Sequence, residues 1–371
     1  MKNFVKITIP VIIIMLVAIE LILRLAPVPN PHEYDRSLSR QLYIPSQFKP
    51  HQTKQVASNE GLPFVDSIAR ASFNNYGFRG PNIDLNKPKE GYRIFMIGGS
   101  TTECILIDEK KAPHTLLQKK LSIHKIEAFN AGKSGDITTD HVAMLSHRII
   151  HLKPDLIILF CGVNDLFKSA IHDYTHAYNV TKNGGTKNHI KALLANLQIY
   201  RRMFYLFKTG SIQNTTESNY KAGIKYRNGL PQGNFQQLKF NYTAYEKNLR
   251  AFAGICQANH VQLILVTQAT TWASKVEPQM AKRHWMSFIA GKKYHEKQMN
   301  QVMEQYNDVM RKVAKDLKVH LYDLAQDIPK SSQYFYDDCH FNNNGARFFA
   351  DKIGAHIKKI GGIPPLDVDQ K

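Results

Sequence analysis

The sequence predicts an α/β protein with a central parallel sheet under helices, preceded by one N-terminal transmembrane helix. Two almost continuous apolar runs, at 155–161 and 261–267, are typical of parallel strands that are buried on both faces. Segments with helical periodicity alternate with the strand-like runs, as they do in doubly wound sheets. A third apolar stretch, from Ile9 to Pro27, is long enough for ~30 Å of hydrocarbon.

The apolar stretch near the N-terminus is interpreted as an uncleaved signal anchor over residues 1–27. Lys2 and Lys6 precede it and outweigh the positive charge that follows closely, so the positive-inside tendency predicts that the remaining chain lies outside the cytoplasm. Glu20 and Arg24 lie one helical turn apart near its far end, where they can pair or reach the headgroups. A cleaved signal peptide remains the alternative.

The strand predictions follow the chain in order from residue 91. They cover Arg93–Ile97, Lys125–Asn130, the runs 155–161 and 261–267, and Val319–Leu324. Between them, helical patterns run through Leu116, Leu117 and Leu121 and over Thr139–Leu152. These elements define a domain over 91–362, and residues 363–371 form a tail.

Three segments fall outside this strand and helix pattern. Residues 28–90 are interpreted as a stalk and lead-in that ends in turns at FNNYGFRGPN. One insertion is expected near 167–242, with a helix over Lys191–Phe207 and an exposed loop over Gly210–Asn234. A second insertion, basic and helical, is expected near 277–317.

Composition limits the class of function. The net charge is +19 and the lysines are scattered, which favours anionic surroundings over a specific nucleic-acid site. The four cysteines form no C-x-x-C pair, so a metal knuckle or a thioredoxin-like site is disfavoured and buried free thiols are favoured over bridges. No metal or cofactor is expected.

Polar residues follow the predicted strands at their carboxyl ends, where parallel sheets place their ligands. The three stretches are Gly98-Gly99-Ser100, Asn130-Ala131-Gly132 and 162–165 (GVND), and a late loop carries Asp337 and His340. Each stretch alone is more typical of a turn or a helix cap. The ordered set supplies a hydroxyl, backbone amides, a carboxamide and an Asp/His pair, which are the parts of a serine acyl-transfer site.

The chemistry assigns a role to each residue of the set. His340 is the candidate base that takes the proton of Ser100, and Asp337 is placed to orient its ring. The Ser100 amide, the Gly132 amide and the Asn164 side-chain amide are the candidate oxyanion donors. A phosphate-binding loop is disfavoured because neither G-x-x-x-x-G-K-[ST] nor G-x-G-x-x-G is present.

Together these residues resemble the four blocks of the SGNH hydrolases, the GDSL esterase/lipase family, over about Tyr92 to Ile360. The resemblance implies a three-layer α/β/α fold of flavodoxin-like type with Ser100, Gly132, Asn164 and the Asp337/His340 pair in the family's roles. Gly99 departs from the pattern, because an Asp usually precedes the serine. NYGFRG at 75–80 and the G-G-S-T-T form are similar to a membrane-anchored bacterial branch, some of whose members act on acyl groups of envelope or secreted polysaccharides.

The predicted function is a membrane-anchored, extracytoplasmic serine esterase. It would remove O-acyl groups, most simply O-acetyl, from a carbohydrate or another envelope ester, with a lipid ester as a less favoured substrate. Two alternatives stay open on the sequence alone. The same serine site would serve an O-acyltransferase, and the missing Asp at position 99 is compatible with a non-catalytic module that binds a glycan or a partner protein.

Overall fold

The computed structural model describes residues 4–28, 48–58, 61–88, 90–121, 125–171, 190, 193–208 and 223–362. The chain divides into two compact units. The first comprises Met1–Ser46 and Ala177–Asn219, and the second comprises Gln47–His176 and Tyr220–Lys371. The predicted α/β domain lies in the second unit, and the apolar N-terminal helix lies in the first.

The strands and helices of the described residues alternate along the second unit. The strands are β1 Gln52–Ala57, β2 Ile68–Phe73, β3 Gly91–Gly98, β4 Lys125–Asn130, β5 Leu156–Phe160, β6 Gln262–Val266, β7 Phe288–Ile289, β8 Lys292–Lys293 and β9 His320–Tyr322. The α-helices, in both units, are α1 Ile9–Leu23, α2 Ser100–Glu103, α3 Pro113–Lys120, α4 Thr138–His147, α5 Val163–Ile171, α6 Gln198–Lys208, α7 Tyr242–Ala258, α8 Pro278–Ala281, α9 Glu296–Leu317, α10 Leu324–Asp327 and α11 Asn343–Lys359.

The main sheet has the order β4-β3-β5-β6-β9, and every neighbouring pair is parallel. Numbered along the chain this order is 2-1-3-4-5, which is that of flavodoxin-like folds. All five predicted strands are therefore present, and the α/β fold class is confirmed. Strand β3 comes first along the chain and lies between β4 and β5 in the sheet. The carboxyl ends of β4, β3 and β5 are therefore adjacent.

Alternate residues of each strand face opposite sides of the sheet and build two cores. On one side Phe95 and Ile97 pack in a core with α4, α5, α7 and α9. On the other side Ile94 and Met96 pack in a core with α3 and α11. Helices on both faces make the three layers that the resemblance implied.

Two predicted helices begin or end differently in the structure. The helix expected over Thr139–Leu152 ends at His147, and a 3-10 turn over Ile149–Leu152 follows the break at Arg148. The turn keeps Ile149 and Leu152 buried as the chain enters β5. The helix expected over Lys191–Phe207 is interrupted: residues 193 and 194 are helical, a turn follows at 195–196, and α6 begins at Gln198. The Glu20 carboxylate accepts the first amides of α6.

The segments interpreted as insertions contain regular structure that composition did not reveal. In the expected loop Gly210–Asn234, residues 223–228 are helical, and 209–222 lie outside the described residues. In the expected helical segment 277–317, α8 and the β7–β8 hairpin precede α9. Helix α9 is the crossover helix between β6 and β9, and its apolar face is buried in the core of the domain.

The lead-in segment is held against the domain by paired backbone. Within it, β1 and β2 form an antiparallel hairpin. Arg79, in the NYGFRG stretch, then exchanges backbone hydrogen bonds with Asn130 at the end of β4, at 3.0 and 2.9 Å. Residues 74–83 form turns beside the domain. The β1–β2 hairpin lies in the segment that the sequence analysis interprets as a stalk.

In the first unit, the stretch Lys6–Leu23 is long and apolar enough to cross a bilayer, with a mean hydropathy of 2.5 over 18 residues. Signal sequences share these properties. Glu20 is buried, and the apolar side chains of this stretch are mostly exposed. Near its end Arg24 pairs with Glu20 at 2.9 Å, which is the pairing that their spacing predicted.

Candidate active site

Three successive strand ends bring the predicted site residues to one edge of the sheet. Gly98 at the end of β3 is paired with Phe160 at the end of β5, and Met96 of β3 is paired with Asn130 at the end of β4. The residues that follow these ends, Ser100, Gly132 and Asn164, therefore lie at the same edge. This follows from the strand order, because β3 lies between β4 and β5.

Helix α2 begins immediately after β3, and the turn between them depends on Gly98. A Cβ atom there would lie 2.1 Å from the Phe160 carbonyl oxygen and 2.1 Å from Thr102 Oγ1. Thr102 Oγ1 itself donates to that same carbonyl at 3.1 Å. The helix is short and ends at Cys104, whose φ of 50° is left-handed. Ser100 is thus the first helical residue, directly above the end of a central strand.

A continuous hydrogen-bond chain links Ser100, His340 and Asp337. The Ser100 Oγ and the His340 Nε2 are 2.8 Å apart. The His340 Nδ1 lies 2.7 Å from Asp337 Oδ2 and 3.0 Å from Asp337 Oδ1. Since a carboxylate only accepts, the proton of the neutral imidazole is assigned to Nδ1, and Nε2 is then the acceptor for the serine proton.

The Asp337 carboxylate is buried, and it accepts hydrogen bonds from three donors besides the His340 ring. The backbone amides of Cys339 and His340 donate to Oδ1 at 3.0 and 2.8 Å. The Trp285 Nε1 donates to Oδ2 at 3.2 Å, beside the His340 ring. Each donor stabilises the ionised form of a carboxylate that would otherwise be costly to bury.

The electrostatics of the pair favour opposite charges. Burial alone raises the pKa of Asp337, but the charge of His340 and the hydrogen bonds from its ring and from the two amides outweigh it, so the pKa lies below its usual value. Burial alone lowers the pKa of His340, but the Asp337 carboxylate reverses this and holds the pKa above its usual value. Asp337 is therefore placed to stabilise an imidazolium.

Trp285 was not predicted, and a second buried carboxylate holds it in place. The Asp338 Oδ2 accepts the backbone amides of Trp285 at 3.1 Å and Met286 at 2.7 Å. The Asp338 carbonyl accepts the Thr271 amide at 2.9 Å, and the Thr271 hydroxyl lies 2.9 Å from His284 Nε2. These bonds fasten the segment before β7 over the Asp/His loop.

The indole of Trp285 runs parallel to the imidazole of His340. Their ring planes differ by 5° and their centroids are 5.9 Å apart. Tyr336 is also parallel to this imidazole, at 6° and 5.4 Å. Trp285 is nevertheless 37% exposed, so part of its aromatic surface faces solvent beside the Ser100–His340 pair. The sequence offered no signal for it, since it lies about 50 positions before Asp337 in a segment of irregular pattern.

The three expected oxyanion donors differ in whether they already donate a hydrogen bond within the protein. The Ser100 amide is at the first position of α2, where an amide has no partner within its own helix. One amide proton of Asn164 Nδ2 is held by the Asp136 carbonyl at 2.8 Å, which leaves the second for a substrate oxygen. The Gly132 amide donates to Asn130 Oδ1 at 2.8 Å, so it is engaged within the protein.

Gly132 has a steric role that the sequence did not predict. A Cβ atom at this position would lie 2.3 Å from the Glu103 amide nitrogen, so the loop after β4 packs directly on the backbone of α2. Asn130 Nδ2 donates to the Thr102 carbonyl at 2.6 Å across the same contact. A glycine at 132 therefore lets this loop fix the position of α2.

Arg79 supports α2 from the opposite end. It is 1% exposed, and its guanidinium donates to the Glu103 and Cys104 carbonyls at 2.8 Å each and to the Ile107 carbonyl at 3.0 Å. Its Nε donates to Glu109 Oε2 at 3.0 Å. Carbonyls at the end of a helix lack intrahelical donors, and this buried arginine supplies them. The NYGFRG stretch, through Arg79, therefore holds the C-terminal end of α2 in place.

A side chain on the residue before Ser100 would come close to the side chain of Asn164. A Cβ atom at Gly99 would lie 2.5 Å from Asn164 Nδ2 and 3.4 Å from the Asp136 carbonyl oxygen. The Asn164 amide thus leans against the backbone that carries Ser100.

The four cysteines are buried and unpaired, as was favoured. Ligand atoms of Asp337, Cys339 and His340 lie within 4.8 Å of one another, a spacing that a metal ion would also fit. Burial and the neighbouring carboxylates raise the pKa of the Cys339 thiol well above its usual value, which disfavours the thiolate that metals bind. Asp337 and His340 already bond to each other. The donor set therefore suits a hydrogen-bonded dyad better than a metal site.

Comparison with known proteins gives a family and a set of distant structures. The model of the GDSL-like lipase/acylhydrolase family matches residues 96–348. No curated protein matches the chain. The acetylxylan esterase Axe2 from Geobacillus stearothermophilus is 16% identical, with a TM-score of 0.42 and coverage of 74% of this chain and 97% of that one. The lipase/acylhydrolase from Enterococcus faecalis is 14% identical, with a TM-score of 0.42 and coverage of 72% and 96%.

The pH dependence of esterase activity should report the Asp337–His340 pair. A candidate base must be neutral to accept a proton, and the pKa of His340 is raised, so kcat/KM is expected to fall as the pH drops through a value above about 6.5. Asp337→Asn removes the charge that raises this pKa, so the acid limb should move to lower pH while kcat falls about 10⁴-fold. The measurement is kcat/KM against pH on one soluble ester.

Asp351→Asn is the matched control for that titration, since Asp351 is an exposed carboxylate of α11 that pairs with Lys120 of α3. Its profile should coincide with that of the unaltered protein. An acid limb that stays in place in Asp337→Asn would contradict the assigned electrostatics.

Restoring the usual acidic residue at position 99 should impair the enzyme. The Asp side chain of Gly99→Asp would displace Asn164 Nδ2, and the loss of one oxyanion donor typically lowers kcat by about 10²–10³-fold. Kinetics of Gly99→Asp, Asn164→Ala and the double variant provide the test. The double variant should lose little beyond either single one, because both remove the same interaction. Full activity of Gly99→Asp would show that Asn164 is not held as described.

Proposed function

The chain belongs to the GDSL-like lipase/acylhydrolase family and is an ester hydrolase, and we propose that Ser100, His340 and Asp337 carry out the reaction through an acyl-enzyme. The observation that supports this assignment is the hydrogen-bond chain from Ser100 Oγ through His340 to Asp337, at 2.8 and 2.7 Å. These separations are those required of a nucleophile, its base and the group that orients the base.

In the proposed first step, Ser100 Oγ attacks the ester carbonyl carbon while its proton passes to His340 Nε2. The carbonyl π electrons move to the oxygen, and the resulting oxyanion accepts hydrogen bonds from the Ser100 amide and the Asn164 side chain. Each such donor is worth about 3 kcal/mol of barrier. The Gly132 amide becomes a third donor if it exchanges its bond to Asn130 Oδ1 for one to the oxyanion.

In the following steps the intermediate collapses and the alcohol departs with the proton from His340. The acyl group remains on Ser100 Oγ as an ester. A water molecule then gives its proton to His340 Nε2 and attacks this ester, and breakdown of the second intermediate releases the carboxylic acid and returns the proton to Ser100. Throughout, Asp337 keeps the imidazole in the orientation that these proton transfers need.

The proposed substrate is an O-acylated, most simply O-acetylated, carbohydrate of the cell envelope. The partly exposed indole of Trp285 beside His340 presents an apolar aromatic surface at the site, and sugar rings have apolar C–H faces that pack on such a surface. The net charge of +19 is favourable for a polyanionic polymer. A lipid ester would benefit from the same charge at a membrane but has no ring for the indole to contact.

The proposed location is outside the cytoplasm, with α1 as a single membrane anchor. Its length and hydropathy support membrane insertion, and Lys2 and Lys6 support an orientation with the N-terminus inside. This location would place the ester hydrolase beside the envelope polymers that are its proposed substrates.

Covalent labelling and product analysis test the reaction. A fluorophosphonate probe should label the full-length protein at Ser100, and Ser100→Ala and His340→Ala should abolish labelling. With an acetylated oligosaccharide as substrate, free acetate should form at a rate that does not depend on an added acceptor sugar. Acetyl groups recovered only on the acceptor would instead identify an O-acyltransferase, and absence of labelling would favour a non-catalytic binding module.

Substitutions of Trp285 test the carbohydrate part of the proposal. Trp285→Phe keeps an aromatic surface but loses the hydrogen bond to Asp337, so kcat should fall about tenfold on every ester. Trp285→Ala should show the same fall in kcat and, in addition, about a tenfold rise in KM for an acetylated oligosaccharide. A small aromatic acetate without a sugar should show no such difference in KM between Phe and Ala. Equal KM values for the two variants on the oligosaccharide would contradict a role in sugar binding.

A further inference from the structure

The first unit contains a second helix that is fastened to the apolar one. The Glu20 carboxylate of α1 accepts the backbone amides of Gln198 at 3.0 Å and Ile199 at 3.1 Å, so it caps the N-terminus of α6. Arg24 pairs with the same carboxylate at 2.9 Å. An acidic side chain at a helix N-terminus satisfies orphan amides and complements the helix dipole. The one acidic residue in the apolar stretch therefore has a defined structural task.

The chain that leaves α1 is bonded to the same helix. The Val28 amide donates to Gln198 Oε1 at 2.8 Å, and Arg201 Nη1 donates to the Val28 carbonyl at 3.1 Å. Arg202 donates to the Ala26 carbonyl. Helix α6 is thus fixed at the level where the apolar stretch ends, which is the headgroup level if α1 spans a bilayer.

The described residues around α6 expose large apolar side chains at this level. Met203 and Leu206 on the helix are 49% and 74% exposed, and Leu193 just before it is 58% exposed. Leu194 and Leu197 are exposed as well. Amphipathic helices with this kind of surface bury their apolar side chains at the boundary between headgroups and acyl chains.

The charges of the same stretch have a single sign. In the sequence 193–208 the residues charged at neutral pH are Arg201, Arg202 and Lys208, and no Asp or Glu is present. Basic residues near a membrane surface are attracted to anionic headgroups, by about 1 kcal/mol each. Apolar exposure and positive charge therefore point to the same partner.

From these contacts we propose that α6, with Leu193–Leu197 before it, lies in the interface of an anionic membrane beside α1. Its apolar side chains enter the acyl boundary and its arginines lie among the headgroups. This inference rests on the proposed insertion of α1. It also implies that α1 is retained, because its removal as a signal sequence would leave the Gln198 and Ile199 amides without their acceptor and the apolar surface in water.

Spin labels on the full-length protein in lipid nanodiscs test the position of α6. Met203→Cys and Leu206→Cys carry the labels, and Leu85→Cys, 51% exposed in the second unit, is the control. The native cysteines are buried, so the introduced residue is the labelling target. In nanodiscs of phosphatidylcholine with phosphatidylglycerol, both α6 labels should show high accessibility to oxygen and low accessibility to a water-soluble nickel complex. The Leu85 label should show the reverse.

The outcomes separate this inference from the proposed anchor. Flotation of the protein with vesicles of the same lipids tests the anchor separately. If α1 does not insert, the protein does not float with the vesicles, and the proposed anchor is rejected. If the protein floats but the α6 labels resemble Leu85, or if they are protected from both oxygen and nickel by protein contact, the interfacial position is overturned. Retained fluorophosphonate labelling of Ser100 shows that the second unit of each variant is folded. Glu20→Gln, which weakens the cap, should lower the oxygen accessibility of the Leu206 label in the same nanodiscs.

Discussion

The site depends on one buried carboxylate, that of Asp337. Its oxygens receive the His340 ring, the amides of Cys339 and His340, and the Trp285 indole, so its burial is matched by hydrogen bonds. Because the His340 Nδ1 is held there, Nε2 is directed to Ser100. The same carboxylate fixes Trp285, and the next residue, Asp338, fixes the backbone on either side of that indole. Two neighbouring acidic residues thus place both the base and the adjoining aromatic surface.

A second constraint is the close approach of backbone around α2. Gly98, Gly99 and Gly132 each lie where a Cβ atom would approach another atom to 2.5 Å or less. These contacts let the loops after β4 and β5 reach the start of a four-residue helix, which could not hold its own position. Arg79 completes the arrangement by donating to the carbonyls at its other end. The position of Ser100 is therefore set by close backbone contacts at Gly98 and Gly132 and by the contact of Gly99 with the Asn164 side chain.

Each of the two units carries features that support the proposed anchor or the proposed substrate. In the first, an apolar helix and a basic amphipathic one are joined through Glu20. In the second, a partly exposed tryptophan stands beside the candidate catalytic pair. Under the proposed function, the positive charge would favour an acylated, anionic polymer, and the proposed anchor would confine enzyme and substrate to the same layer.

The sequence alone predicted the five strands and their parallel arrangement, which the structure confirms, because burial periodicity is a local property. Residue chemistry, which is also local, predicted Ser100, Asn164, Asp337 and His340 as candidate site residues. It misplaced the ends of the helices at Arg148 and Gln198 and gave no sign of Trp285 or of the contact between Gly99 and Asn164. Only the tertiary structure decided that Gly132 bonds to Asn130, that Arg79 caps α2 and that Glu20 begins α6. Each of these depends on atoms far apart in the chain, and no local pattern specifies which distant donor will meet which acceptor.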